Sequence, residues 1–200
     1  MYNAVLHKLN STTRIAVWVG GAMMFFAAFM VTIDVLCRKL LGISLAGSDE
    51  ISGYLFAIST AFAFPFALLQ KANVRIDVVY LQCPRRLRAL LDLLGISLLT
   101  VFCVIVTWRA ALMVGVTWEN NSHSITPLHT PLIIPQGLWL LGWCLFCFTL
   151  LFVMFGMVSA FVRGRLDDLE ALGGAPSMED EIKEETSGLV ETTNSERKGG

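Results

Sequence analysis

Charged side chains are scarce in this chain of 200 residues. They make up 16% of the sequence, whereas hydrophobic residues make up 55% and the mean hydropathy is +0.65. A soluble domain of this size usually carries about 25% charged residues. The composition therefore argues against an ordinary soluble domain and indicates an integral membrane protein.

Residue types that carry redox and metal chemistry are also few. The three histidines, His7, His123 and His129, lie outside the long apolar runs, so the predicted spans hold no histidine that could ligate the haem of a membrane b-type cytochrome. Five cysteines, mostly inside apolar runs, do not form a disulfide framework. The pair Cys144-x-x-Cys147 has redox-motif spacing but lies among Leu, Phe and Trp, so we expect its thiols to pack as small apolar groups.

Motifs for catalysis and for cofactor binding are missing as well. The sequence contains no glycine-rich phosphate loop, no cluster of metal ligands and no nucleophile beside a general base. We therefore expect no enzymatic activity, no cofactor, no metal and no nucleic-acid partner.

Long apolar runs are what the sequence has in quantity. Each of four runs is long enough to cross about 30 Å of hydrocarbon as a helix. The predicted fold class is an all-α integral membrane protein with four transmembrane helices, a short interfacial helix at 40–46 between the first two, and a disordered acidic C-terminal tail. The predicted segments are an N-terminal segment 1–14, a membrane domain 15–165 with spans at about 15–37, 50–69, 89–116 and 137–162, and a tail 166–200.

The charges are segregated along the chain, and this segregation predicts the orientation. Ten of the sixteen acidic residues but only three basic residues lie after Leu166, which gives a basic membrane body and an acidic tail. Nine Lys or Arg lie in the N-terminal flank, in 70–88 and at 163–165, whereas the 118–136 loop has none. Because basic residues favour the cytoplasmic side, we predict a multi-pass inner-membrane protein with both termini in the cytoplasm.

The stretch between the first two runs holds the densest mix of charges in the first third of the chain. Asp34 lies four residues before Arg38, which is the favourable order for an ion pair on one helical face. We predict that Arg38 pairs with Asp34, Asp49 or Glu50. A four-span multidrug exporter would need a carboxylate deep in the bilayer. Asp34 is only about four residues from the predicted interface, so the sequence argues against an exporter.

Helix signals in the same stretch predict where the chain turns. Gly42 is expected to end the first helix. Ser48 is expected to cap the second helix, with Asp49 and Glu50 in its first turn, where the helix dipole favours acidic side chains.

Five further residues are candidates for structural or interface roles. Arg75 and Asp77 are predicted to order the cytoplasmic loop, with plain surface solvation as the alternative. Arg109 is the one basic residue well inside a span, and we expect it to snorkel towards the headgroups. The 118–136 loop has prolines at four-residue intervals, including Pro127 and Pro135, which predict a rigid extended segment.

Four segments in this order resemble the small membrane subunit of tripartite ATP-independent periplasmic (TRAP) transporters, the DctQ-like family. The segment 35–39 is similar to an apolar-Arg-aromatic element, although Lys39 replaces the usual aromatic residue, and 47–54 is similar to an acidic helix start. The segment 73–78 is similar to a His-Ile-Arg-Val-Asp element, with Asn73 in place of the His. The loop 124–137 is similar to a Ser…Pro…Pro-x-Gly pattern, and the resemblance covers about 15–162.

The resemblance implies a role without catalysis. Such a subunit binds a large multi-span permease subunit that carries the substrate and sodium sites, and a periplasmic substrate-binding protein delivers an organic acid such as a dicarboxylate or a sialic acid. An ion gradient drives the uptake, and the small subunit is a scaffold within the membrane lipids that braces the fixed part of the large subunit. The alternative is a stand-alone four-span membrane protein that acts as an assembly factor or a sensor.

Small residues favour close helix association in lipid. They include Ser59, Gly156 and Ala160. Two interpretations stay open at this point, since these residues can pack the chain's own four helices or the helices of a partner.

Overall fold

The computed structural model describes residues 2–43, 47–70 and 84–163. Within these ranges the chain forms four helices and no β-strand. The helices are α1 (Tyr2–Leu40), α2 (Ser48–Leu69), α3 (Arg85–Glu119) and α4 (Ile133–Val162). All four are long and apolar enough to cross a membrane, which confirms the predicted all-α class with four spanning helices.

The helices extend beyond the predicted spans. Helix α1 has 39 residues and includes most of the segment that the sequence suggested as a separate N-terminus. Helix α4 begins at Ile133, so Pro135 lies in its first turn instead of in the preceding loop. A proline is tolerated there because the first N–H groups of a helix have no intrahelical acceptor. Pro65 lies inside α2, which continues through it to Leu69.

The turn between α1 and α2 uses glycine at both ends. Gly42 has a φ of 67°, so it ends α1 as predicted. Gly47 has a φ of 95° and precedes α2 as its N-cap, whereas the predicted cap, Ser48, is the first helical residue and is buried. Of the predicted interfacial helix at 40–46, Leu40 is the last residue of α1 and residues 41–43 are not helical. Residues 44–46 and the tail 164–200 lie outside the described residues.

The four helices pack in the order α1, α2, α4, α3. The principal contacts join α1 to α2, α2 to α4 and α4 to α3. Glycines allow the close approaches at two of these seams. A Cβ atom at Gly20 of α1 would lie 3.0 Å from the Ser59 carbonyl oxygen of α2, and one at Gly142 of α4 would lie 2.7 Å from the Ala61 Cβ atom of α2.

The seam between α3 and α4 contains two buried apolar clusters. In one, Ala89 of α3 packs with residues of α4 that include Met157 and Ala160. In the other, Cys103 of α3 packs with Phe146 and Leu150 of α4. Ala160, one of the small residues noted in the sequence, therefore packs inside the chain itself.

This arrangement leaves the two outer helices largely uncovered. In the most apolar 18-residue window of each helix, 39% of the residues are buried in α4 but only 11% in α1 and 17% in α3. Large exposed side chains on these helices include Phe25 and Phe29 on α1 and Phe102 and Trp108 on α3. Each outer helix therefore offers an apolar face to lipid or to another membrane protein.

Candidate functional site

The candidate site lies at the end of the bundle where α1 meets α2 and where the segment 120–132 joins α3 to α4. We call it the corner, and it comprises the end of α1 from Asp34, the start of α2 from Gly47 to Tyr54, and the loop 120–132. Most of the predicted site residues lie here. Among the described residues, no group of three or more His, Cys, Asp or Glu side chains could hold a metal ion.

The end of α1 carries a salt bridge. Arg38 Nη2 lies 2.6 Å from Asp34 Oδ2, so the predicted i,i+4 pair forms. The Asp34 side chain is 3% exposed and the Arg38 side chain is 55% exposed. Because a buried carboxylate is unfavourable without a partner, Arg38 compensates for the burial of Asp34 while its own charge stays accessible to headgroups or water.

The carboxylate of Glu50 is bound by hydroxyl groups. The Tyr54 hydroxyl donates to Glu50 Oε1 at 2.7 Å from one turn further along α2. The Thr126 hydroxyl donates to Glu50 Oε2 from the loop, 76 residues away in sequence. Glu50 therefore joins the start of α2 to the loop. The salt bridge of Arg38 is formed with Asp34.

The loop is a closed turn and not the extended segment that its prolines predicted. Ser124 N–H donates to the Thr130 carbonyl at 2.9 Å, and Leu132 N–H donates to the Ser122 carbonyl at 3.1 Å. His123 and Pro131 form an isolated antiparallel bridge between the two arms. The proline spacing correctly predicted that the loop is not the interior of a helix. It could not predict the backbone hydrogen bonds that close the loop.

A second contact fixes the loop to α2. A Cβ atom at Gly47 would overlap the side chain of Leu128. The positive φ of Gly47 also disfavours any residue with a side chain. Glycine at this position thus permits both the turn into α2 and the packing of the Leu128 side chain against the backbone of Gly47.

The remaining predicted residues lie in different environments. Asp49 is exposed and lines an open groove of about 450 Å³ between α1 and α2. Pro127 is exposed in the loop, whereas Pro135 is buried in α4. Arg109 is exposed on α3, away from the corner. Arg75 and Asp77 lie outside the described residues.

Three side chains of the corner were not assigned roles from the sequence. Tyr54 could have been found, because it lies four residues after Glu50 on the same helical face. Thr126, which bonds Glu50, and Leu128, which packs on Gly47, carry no signal in the sequence. Their partners are far away along the chain, and only the folded loop brings them together.

The corner can hold the loop against the start of α2 in a fixed geometry, next to a salt bridge within α1. Its groups are a salt bridge, a carboxylate bound by hydroxyls and an apolar contact, and these interactions stabilise the local structure.

Neither a curated protein nor a solved structure matches the chain. The model of the family described as "Tripartite ATP-independent periplasmic transporters, DctQ component" matches residues 27–164, which is more than half of the chain and includes the corner and three complete helices. The chain therefore belongs to the DctQ family, whose members are components of tripartite periplasmic transporters.

Proposed function

We propose that this chain is the small permease subunit that braces the large membrane subunit of a TRAP transporter. The transporter takes up an organic acid of the carboxylate type, driven by a sodium gradient, after a periplasmic binding protein delivers it. Membership of the DctQ family supports this role, since the family is a component of a tripartite transporter and not an enzyme family.

The open row of helices is the observation that carries the proposal. A protein that works alone can close its helices into a bundle, whereas this chain leaves α1 and α3 uncovered along most of their length. Association of helices in a membrane depends on van der Waals packing between complementary faces. A large partner subunit that covers one of these faces would complete the packing.

The corner supports a bracing role. Its loop contacts fix the position of the loop over the start of α2, and its salt bridge compensates for the burial of Asp34 within α1. A rigid surface of this kind suits a membrane scaffold that braces the fixed part of the large subunit. In the orientation we propose, with both termini in the cytoplasm, the corner lies on the periplasmic side, where the binding protein arrives.

Co-purification tests the proposal. The full chain, expressed together with the large permease subunit of the same transporter and carrying the only affinity tag, should retain the large subunit through size exclusion in detergent. Cells lacking this chain should lose sodium-dependent uptake of the transported acid. A stable lone chain that leaves the large subunit behind would contradict the proposal and favour the assembly-factor or sensor alternative.

A further inference from the structure

One charged side chain lies on the uncovered face of α3. Arg109 is exposed, and its neighbours on this face, Ile105, Leu112 and Met113, are 57%, 49% and 44% exposed. Within the described part of the chain, the side chain of Arg109 makes no hydrogen bond and no ion pair. An exposed guanidinium group therefore stands in an apolar surface.

The position of Arg109 along α3 is deep. The next charged residue towards the loop end is Glu119, about 15 Å further along the helix at 1.5 Å per residue. On the other side, Cys103, near the midpoint of α3, packs with Phe146, near the midpoint of α4. Arg109 thus lies between the centre of the bundle and its loop end, within the apolar part of α3.

Snorkelling towards the nearer end is opposed by helix geometry. The Cα–Cβ bond of a helical residue tilts towards the N-terminus of its helix. For Arg109 that direction leads towards Arg85 and away from Glu119, the nearer end of α3. The guanidinium group would have to fold back over Leu112 and Met113 to approach the nearer headgroups, so a partner within the membrane satisfies it better.

The other uncovered helix has no such group. Between Arg14 and Asp34, α1 contains no charged residue, and Asp34 is buried and paired with Arg38. The exposed face of α1 consists of apolar and aromatic side chains such as Trp18 and Phe25. Lipid hydrocarbon can cover this face of α1 at no electrostatic cost, but it cannot do so for α3.

We propose that the α3 face docks onto the large permease subunit, where Arg109 pairs with a carboxylate on an apolar helix, while α1 faces lipid. This inference rests on the proposed function and specifies which face makes the contact and which chemistry the partner presents. A carboxylate is the complement because arginine binds it with two parallel N–H···O bonds, which are strong in a water-poor interface.

Substitution of Arg109 gives opposite results for the two possible environments. If Arg109 faces a carboxylate, Arg109→Leu leaves that charge buried without a partner, and recovery of the large subunit should fall about tenfold or more. Arg109→Lys keeps the charge and should retain part of the complex. If Arg109 faces lipid, Arg109→Leu removes an unfavourable group, and recovery should stay the same or rise. Arg14→Leu, a matched arginine at the exposed start of the apolar part of α1, is the control and should leave recovery unchanged.

Photo-crosslinking in the wild-type Arg109 background keeps the test independent of the folding of the variants. A photoreactive phenylalanine analogue at Leu112 should crosslink to a peptide of the co-expressed large subunit that contains an Asp or Glu, whereas the same group at Phe25 should not. Crosslinking from Phe25 alone, or unchanged recovery for Arg109→Leu, would overturn this inference and leave the proposed function standing. Failure of the wild-type chain to retain the large subunit would overturn both.

Discussion

Asp34 and Glu50 lie at the same end of the bundle, but different groups stabilise their carboxylates. Asp34 is buried in α1 and is paired with the guanidinium group of Arg38. Glu50 accepts hydrogen bonds from the hydroxyls of Tyr54 and Thr126. The first interaction is local to one helix, whereas the second joins two distant parts of the chain, so substitutions at the two sites should have different effects.

Loss of the positive charge of Arg38 should destabilise the chain more than loss of the positive charge of Lys39. Arg38→Gln removes the salt bridge to a carboxylate that is 3% exposed, and it should lower the free energy of unfolding by about 1–3 kcal/mol. Lys39→Gln removes an adjacent exposed charge of the same sign and is the matched control. Thermal unfolding of the two variants in detergent measures the difference, and equal midpoints would contradict a stabilising role for the pair.

Removal of the Glu50 carboxylate should loosen the loop selectively. In Glu50→Ala the Thr126 hydroxyl loses its acceptor, so amide hydrogen exchange in the segment 124–130 should accelerate about fivefold or more. Exchange mass spectrometry should show the change in the loop while the α3–α4 seam around Cys103 stays protected.

Two further variants define what Glu50 contributes. Thr126→Val removes the same hydrogen bond from the other side and should reproduce the faster exchange. Tyr54→Phe removes the bond within α2 and leaves the Glu50–Thr126 bond in place, so it should have a smaller effect on the loop. Unchanged loop exchange in both Glu50→Ala and Thr126→Val would show that Leu128 and the backbone bonds suffice to hold the loop.

At the scale of the helices, small residues set the distances at two of the seams. Gly20 lets α1 approach the backbone of α2, and Gly142 lets α4 approach Ala61 of α2. Both glycines are buried, whereas Gly21 and Gly137 have open space where a Cβ atom would be. Adjacent or nearby glycines in the same helix therefore have different roles, and their surroundings distinguish them.

This difference predicts opposite outcomes for neighbouring substitutions in α1. Gly20→Val would push against the Ser59 backbone of α2, with its Cβ atom 3.0 Å from the carbonyl oxygen, and should cost about 1–3 kcal/mol. Gly21→Val meets no atom within 4 Å and should be close to neutral. The unfolding midpoints of the two purified variants provide the comparison, and an equal loss in both would mean that helix propensity and not packing limits this helix.

At the scale of the whole molecule, the row α1, α2, α4, α3 assigns internal packing to the two middle helices and leaves the two outer helices with faces for lipid or a partner. Helices α2 and α4 supply the central seam, and α1 and α3 supply the two uncovered faces. The loop 120–132 closes over the end of the row at the corner and projects Ile125, which is fully exposed. The side of the membrane on which this loop lies determines what can reach the corner.

Cysteine labelling should show the loop on the periplasmic side. In a background with the five native cysteines replaced by alanine, Ile125→Cys should react with a membrane-impermeant maleimide in intact spheroplasts. Asn10→Cys, exposed near the start of α1, should react only after permeabilisation, because basic flanks favour the cytoplasm. The reverse pattern would invert the proposed orientation and place the corner in the cytoplasm.

The sequence by itself determined the number and type of the spanning elements, the turn glycine Gly42 and the pair Asp34–Arg38, because apolar run length, helix-stop signals and i,i+4 spacing are local properties of the chain. Only the tertiary structure decided that Glu50 bonds Thr126, that Gly47 seats Leu128, and that α4 and not α3 follows α2 in the row. These features depend on contacts between residues far apart in the chain. Because the apolar spans have similar compositions, the sequence does not predict which helices pack against each other. The helix order in turn leaves Arg109 on an uncovered face, which a list of apolar runs could not reveal.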